Sequence, residues 1–248
     1  MISLFFFSFF FVQHLFQGKK ETMKWNIFIC PLIALVFFVT LCNATDIYTV
    51  HQFVALFETS PTSVKNISLK ADLDFSTRAL FVPLGVKSDG SCVPFRGTLN
   101  GNGHSIKNLV MSTQNTDTYN GKGLLCNMNN ATIENLVFDK SCNIEGPFAG
   151  SLSVTMSRIV VLRNVTNRGF VTGWRYAGGL VGYTYSGSSL TLDHCINEGT
   201  INSDTSGYRY SCGGLIGFLH YSTITITNCK NTGNLKGGAT GGLIGTYW

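Results

Sequence analysis

Gly178-Gly179-Leu180-Val181-Gly182-Tyr183 recurs as Gly213-Gly214-Leu215-Ile216-Gly217-Phe218 and again as Gly241-Gly242-Leu243-Ile244-Gly245, and this repetition decides the fold. Weaker copies stand at Gly123-Leu124-Leu125 and Gly150-Ser151-Leu152. The leucines fall at 124, 152, 180, 215 and 243, at intervals of 28, 28, 35 and 28 residues. A fixed period of this length marks a stacked repeat, in which each unit buries its apolar face only against its neighbours. The one long interval holds a seven-residue insertion, expected as an external loop at Asn202-Ser203-Asp204-Thr205-Ser206-Gly207, all turn formers.

Between the glycine blocks a second motif repeats: Asn164-Val165-Thr166-Asn167-Arg168-Gly169, His194-Cys195-Ile196-Asn197-Glu198-Gly199 and Asn228-Cys229-Lys230-Asn231-Thr232-Gly233. The latter two follow alternating stretches, Ser189-Leu190-Thr191-Leu192-Asp193 and Thr223-Ile224-Thr225-Ile226-Thr227, whose period of two is a strand signal. Short strands between Gly and Asn turns, in units of about 28 residues, predict an all-β parallel β-helix over 62–248. Stacked coils about 4.8 Å apart put Leu180, Leu215 and Leu243 in one interior ladder and set Cys195 over Cys229 as buried thiols. The paired glycines Gly178, Gly179, Gly213, Gly214, Gly241 and Gly242 are expected to turn the chain through positive φ. Asn167, Asn197 and Asn231 are expected in the left-handed conformation, hydrogen-bonded from coil to coil.

The amino-terminal part differs. Val50, Phe53, Val54 and Phe57 lie at helical spacing, so a capping helix is expected within 45–61, with Asp46 as N-cap and Pro61 as stop. Lys65–Lys70 would be the first strand. Residues 25–41 form an apolar run behind Met23-Lys24 and ahead of Cys42-Asn43-Ala44, so 23–44 reads as a secretory signal peptide cleaved after Ala44. Residues 1–22 add a second apolar segment, read as an extension of the gene model, with an uncleaved membrane anchor as the rival reading.

The chain carries 27 Gly, 5 Pro and 12% charged residues, well below the usual figure of about 25% charged. Its formal net charge is +5, and no basic stripe interleaves with aromatics, which argues against a nucleic-acid partner. Six cysteines follow the leader, Cys92, Cys126, Cys142, Cys195, Cys212 and Cys229, without a CxxC or a Cys/His cluster at zinc spacing. No metal and no cofactor are therefore expected. Asn66-Ile-Ser, Asn130-Ala-Thr and Asn164-Val-Thr are candidate N-glycosylation sites, while Asn43-Ala-Thr straddles the cleavage point.

Asp72-Leu73-Asp74-Phe75, Pro83-Leu84-Gly85 and Phe95-Arg96-Gly97-Thr98-Leu99-Asn100-Gly101-Asn102-Gly103-His104-Ser105-Ile106-Lys107-Asn108-Leu109 resemble the opening of pectin-lyase-like β-helix proteins that carry GLUG repeats. The GGLVG and N-C-x-N-x-G blocks resemble the GLUG repeat itself. The resemblance implies a right-handed β-helix at an exterior surface, secreted or cell-bound, often as part of a longer adhesin. Membrane attachment would then come only from an uncleaved leader or from an anchor further downstream.

Catalytic chemistry on such a fold needs clustered carboxylates. Asp72 and Asp74 are the only close pair and are expected to serve structural hydrogen bonds. Asp193-His194 is the one adjacent acid–histidine pair, and alternation along a strand would point its members apart. The expectation is a module without enzymatic activity, the alternatives being a carbohydrate-active enzyme or a structural spacer. Trp174-Arg175-Tyr176 and Tyr208-Arg209-Tyr210 stand ahead of successive GGL blocks, with Tyr183, Tyr185, Phe218, Tyr221, Tyr247 and Trp248 nearby. These triplets are the expected ligand face, suited to an extracellular glycan or protein.

Overall fold

The computed structural model describes residues 44–59, 64–112, 121–205 and 210–248, all within the unit Ala44–Trp248. The readings of 1–22 and of the signal peptide lie outside the described residues, as do Pro61, Tyr208 and Arg209. The described chain is a parallel β-solenoid with one short α-helix. A 14-stranded sheet runs through Thr45–Ile47, Lys65–Leu69, Phe95–Asn100, Leu125–Phe138, Ser153–Asn167, Val181–Thr184, Ile216–Leu219 and Ile244–Tyr247, each beside the next coil's strand. An 8-stranded sheet carries Asn143–Gly150, Phe170–Gly178, Thr200–Ser203, Ser211–Gly213 and Ala239–Gly241.

The leucine spacing sets the stack. Leu152 N–H donates to Leu180 O at 3.1 Å, Leu180 N–H to Leu215 O at 3.0 Å and Leu215 N–H to Leu243 O at 2.9 Å. Leu124, Leu152, Leu180 and Leu215 are fully buried, each burial contributing roughly 1.5–3 kcal/mol. In Ser189–Asp193 the alternation turns Leu190 and Leu192 inward; their counterparts Ile224 and Ile226 are only half-buried.

The glycine blocks stand where they were expected but for another reason. None of their six paired glycines has positive φ. A Cβ on Gly178 would strike Val181 O, one on Gly179 would strike Gly214 O, and one on Gly214 would strike Gly242 O. The constraint is backbone closeness, across the turn at Gly178 and between coils at Gly179 and Gly214. Left-handed backbone falls instead on non-glycine residues, among them Asn135, Asn164, His194 and Asn228, stacked at the start of the second motif. Asn is enriched there and His tolerated, because a short polar side chain can bond locally. Asn167, Asn197 and Asn231 are not left-handed; they form the side-chain ladder, with Asn167 Nδ2 donating to Asn197 Oδ1 at 2.8 Å and Asn197 Nδ2 to Asn231 Oδ1 at 2.7 Å.

The helix is Val50–Thr59 and buries Val50, Phe53, Val54 and Phe57. Asp46 does not cap it, because Thr45–Ile47 is drawn into a strand beside Ile67–Leu69. Thr49 and Gln52 form a capping box instead: Gln52 N–H donates to Thr49 Oγ1 at 3.2 Å, and Gln52 Oε1 accepts from Thr49 N–H at 3.2 Å.

The insertion also moves. Ser153 pairs with Val181, Val160 with Leu190, Gly173 with Ser203 and Tyr176 with Ser211, so the offset grows from 28 to 30 to 35 residues. Two extra residues thus enter near Tyr185–Ser188, and five enter between Ser203 and Ser211. Asn202 and Ser203 belong to a strand, opposite Thr172 and Gly173.

Candidate functional site

The close carboxylate pair, Asp72 and Asp74, is already engaged. Asp72 accepts from Ser105 N–H at 2.9 Å and pairs with Lys107 at 2.6 Å, and the Lys107 hydrogen bond is the first reason its carboxyl sits below the ordinary range. Asp74 accepts from Ser76 N–H at 2.9 Å and from Asn108 Nδ2 at 2.8 Å, the latter the main cause of its lowered pKa. Asp193 and His194, expected to point apart, meet at 2.9 Å. The left-handed backbone at His194 breaks the alternation and swings the imidazole back. Among the described residues no three His, Cys, Asp or Glu come together as a metal-binding group.

The concentrated feature is aromatic. Strand Phe170–Gly178 pairs with Asn143–Gly150 in register from Phe170 to Gly173 and again from Tyr176 to Gly178, with an irregularity between. Trp174 and Arg175 stand there against the single residue Pro147, a β-bulge that leaves both side chains exposed. Beyond it Tyr176 meets Tyr183 across the Gly178–Leu180 turn, ring centroids 5.9 Å apart. Tyr176 stacks on Phe218 of the next coil at 4.5 Å, and Tyr183 lies parallel to Phe218 at 5.5 Å. Phe148 joins from the coil before, at 5.6 Å from Tyr176, while Tyr185 and His220 flank Tyr183 at 5.5 and 5.8 Å. Arg175 lies over the Phe148 and Tyr176 rings, at 5.9 and 5.7 Å.

Partial burial raises the Tyr183 phenol, and the neighbouring Tyr176 and Tyr185 phenols raise it further against the pull of Arg175. His220 Nδ1 is buried without a hydrogen-bond partner at the cluster's edge.

Of the expected face, Trp174, Arg175 and Tyr176 are thus in or beside the cluster. The second triplet does not match the first. Tyr176 pairs with Ser211, which leaves half-buried Tyr210 one position too early. Phe148, Phe218 and His220 complete the cluster, and two of them were readable: Phe148-Ala149-Gly150 parallels Tyr176-Ala177-Gly178, and Phe218 follows its GGL block as Tyr183 does. Of the candidate glycosylation sites, Asn130 and Asn164 are exposed and left-handed, whereas Asn66 is half-buried and accepts from Thr98 Oγ1 at 2.9 Å. Cys195 and Cys229 stack as neighbours, Cys195 N–H donating to Cys229 Sγ at 3.3 Å, and both are free thiols.

Fold and site together describe a parallel β-solenoid that carries an aromatic cluster with a bulge-borne arginine at its edge. No family model matches the chain. Halomucin from Haloquadratum walsbyi is 30% identical over 155 residues, covering 59% of this chain; the chain spans about 2% of that protein's length. A crystal structure of a "putative immunoglobulin A1 protease" from Bacteroides ovatus is similar at a TM-score of 0.47 and 14% identity, over 83% of this chain and 84% of that one.

Proposed function

We propose that this chain is a module of a secreted or cell-surface protein that recognises an extracellular glycan or protein, without catalysis, through the half-buried Tyr176 and Tyr183 rings, which are backed by buried Phe218. The observation that carries the reading is the meeting of these three rings across two coils, next to an exposed arginine. The solenoid interior is filled by stacked apolar side chains, so recognition falls to the exterior. Tyr and Arg are residue types that dominate binding energy where they cluster. The absence of catalysis rests on the carboxylates, since Asp72 and Asp74 are committed to structural partners. The likeness to halomucin supports an extracellular setting, and the repeat chemistry supports kinship with GLUG-repeat surface proteins.

The test is binding to a panel of immobilised glycans and extracellular-matrix proteins, comparing wild type with Tyr176→Ala and Tyr183→Ala, each checked for retained β-structure by circular dichroism. A loss of at least about tenfold in both variants is expected, the scale of a central aromatic contact. Full binding by folded variants, or no binding by the wild type, overturns the reading.

A further inference from the structure

We infer that the ligand taken by this site is an anionic sugar, one carrying a carboxylate or sulfate oxyanion that Arg175 receives beside the Tyr176 and Tyr183 hydroxyls. The inference rests on the recognition reading above and deepens it.

Three observations converge. First, Arg175 is exposed and makes no ion pair among the described residues, as is also true of Arg96, Arg158 and Arg163, but it alone of these lies over aromatic rings. A guanidinium brings a fixed fork of N–H donors that matches the oxygens of an oxyanion. Second, its placement is built. The bulge at Trp174-Arg175 takes it out of the regular strand, and its guanidinium carbon lies 5.9 Å from the Phe148 ring and 5.7 Å from the Tyr176 ring, so part of the ordering cost of a long side chain is met before binding. Third, the groups around it are donors. The Tyr183 ring stands 5.9 Å from Tyr176 and 5.5 Å from Tyr185, and Arg175 lies over Tyr176, so phenol O–H donors and the guanidinium share one patch.

The ring chemistry selects a sugar among anions. Trp174 and Tyr185 are 44% and 48% exposed, leaving apolar faces beside hydroxyl donors, the combination that suits a ring with a C–H face and polar edges. A simple polyanion would use the arginine and leave the aromatics idle.

Probes that share one backbone separate these requirements: neutral dextran, carboxymethyl-dextran and dextran sulfate, with poly-L-glutamate as a polyanion without sugar rings. Binding of the full chain is measured by biolayer interferometry for wild type, Arg175→Ala and Arg163→Ala, the last removing an exposed arginine elsewhere on the solenoid. At least one charged dextran is expected to bind about tenfold or more tightly than neutral dextran, with the preference lost in Arg175→Ala and kept in Arg163→Ala. Carboxymethyl-dextran against dextran sulfate identifies the oxyanion. Equal binding of neutral and charged dextrans, a preference that survives in Arg175→Ala, poly-L-glutamate binding as well as the charged dextrans, or no binding of either charged dextran overturns the inference. Panel binding that needs Tyr183 but not Arg175 would sink the inference and leave the recognition reading standing.

Discussion

Asn197 accepts at Oδ1 from Asn167 Nδ2 at 2.8 Å and passes the pattern on, donating from Nδ2 to Asn231 Oδ1 at 2.7 Å in the following coil. Asn167 and Asn197 are fully buried, so each amide has exchanged water for its neighbour. Removing a middle rung strands polar atoms on both sides. Asn197→Ala should cost about 2–4 kcal/mol, whereas Asn231→Ala, at a half-buried rung with one neighbour, should cost about 1 kcal/mol. Urea denaturation of the two variants checks the order; equal costs would show that the ladder does not act as a coupled series.

The glycine blocks give a sharper register test. A Cβ at Gly214 would run into Gly242 O and the Asn231 side chain, while one at Gly242 meets nothing within 4 Å. Gly214→Ala should therefore destabilise by at least about 2 kcal/mol and Gly242→Ala by no more than about 0.5 kcal/mol. Thermal melts followed by circular dichroism decide between this and the positive-φ explanation, under which both alanines would strain the backbone alike.

Much of the fold was legible because a repeat period translates directly into stacking: leucines 28 residues apart can only be neighbours across coils. The helix was legible from Val50, Phe53, Val54 and Phe57, but its start was not, because strand pairing of Thr45–Ile47 outcompeted the local capping propensity of Asp46. The paired glycines were read as positive-φ turns, which they are not, since the closeness of backbone that excludes a Cβ at Gly178, Gly179 and Gly214 is not revealed by sequence spacing. At the site, Tyr176 and Phe218 come together only because the Gly178–Leu180 turn folds one strand toward another and the stack then adds the next coil. Alignment of the triplets by composition missed this by one residue. Counting back from Gly178 and Gly213 places Tyr176 two positions away and Tyr210 three.

The cysteine count left the pairing open, and the structure closes Cys92 to Cys126, with 34 residues of sequence separation and 6.0 Å between Cα atoms. Cross-linking a loop of that length stabilises by roughly 3–4 kcal/mol through the unfolded chain. Cys92→Ser should lose about that much in chemical denaturation. Non-reducing peptide mapping should find this linkage, with Cys142, Cys195, Cys212 and Cys229 alkylated once the chain is unfolded; a linked Cys195–Cys229 peptide would contradict the thiol assignment.

The buried thiols also predict how stability varies with pH. Burial pushes Cys142 up to about 11 and Cys195 up to about 12, while the unfolded chain ionises both near the ordinary thiol value. A group kept neutral by folding contributes stability in full below its unfolded pKa and loses it as pH rises toward the folded one. From about pH 9 to 11 each thiol should therefore remove about 1.4 kcal/mol of stability per pH unit. Lysines and tyrosines titrate in the same window, so the informative quantity is a difference. The Cys142→Ala, Cys195→Ala double variant should lose stability less steeply than wild type between pH 9.5 and 10.5, by about 1–3 kcal/mol per pH unit, as measured by urea denaturation at each pH. At pH 8 half-exposed Cys229 should react with iodoacetamide ahead of buried Cys142 and Cys195, because both access and thiolate fraction favour it. Parallel pH slopes for the two proteins, or alkylation of Cys195 at the rate of Cys229 in the folded chain, would show that these thiols are not held in the interior of the stack.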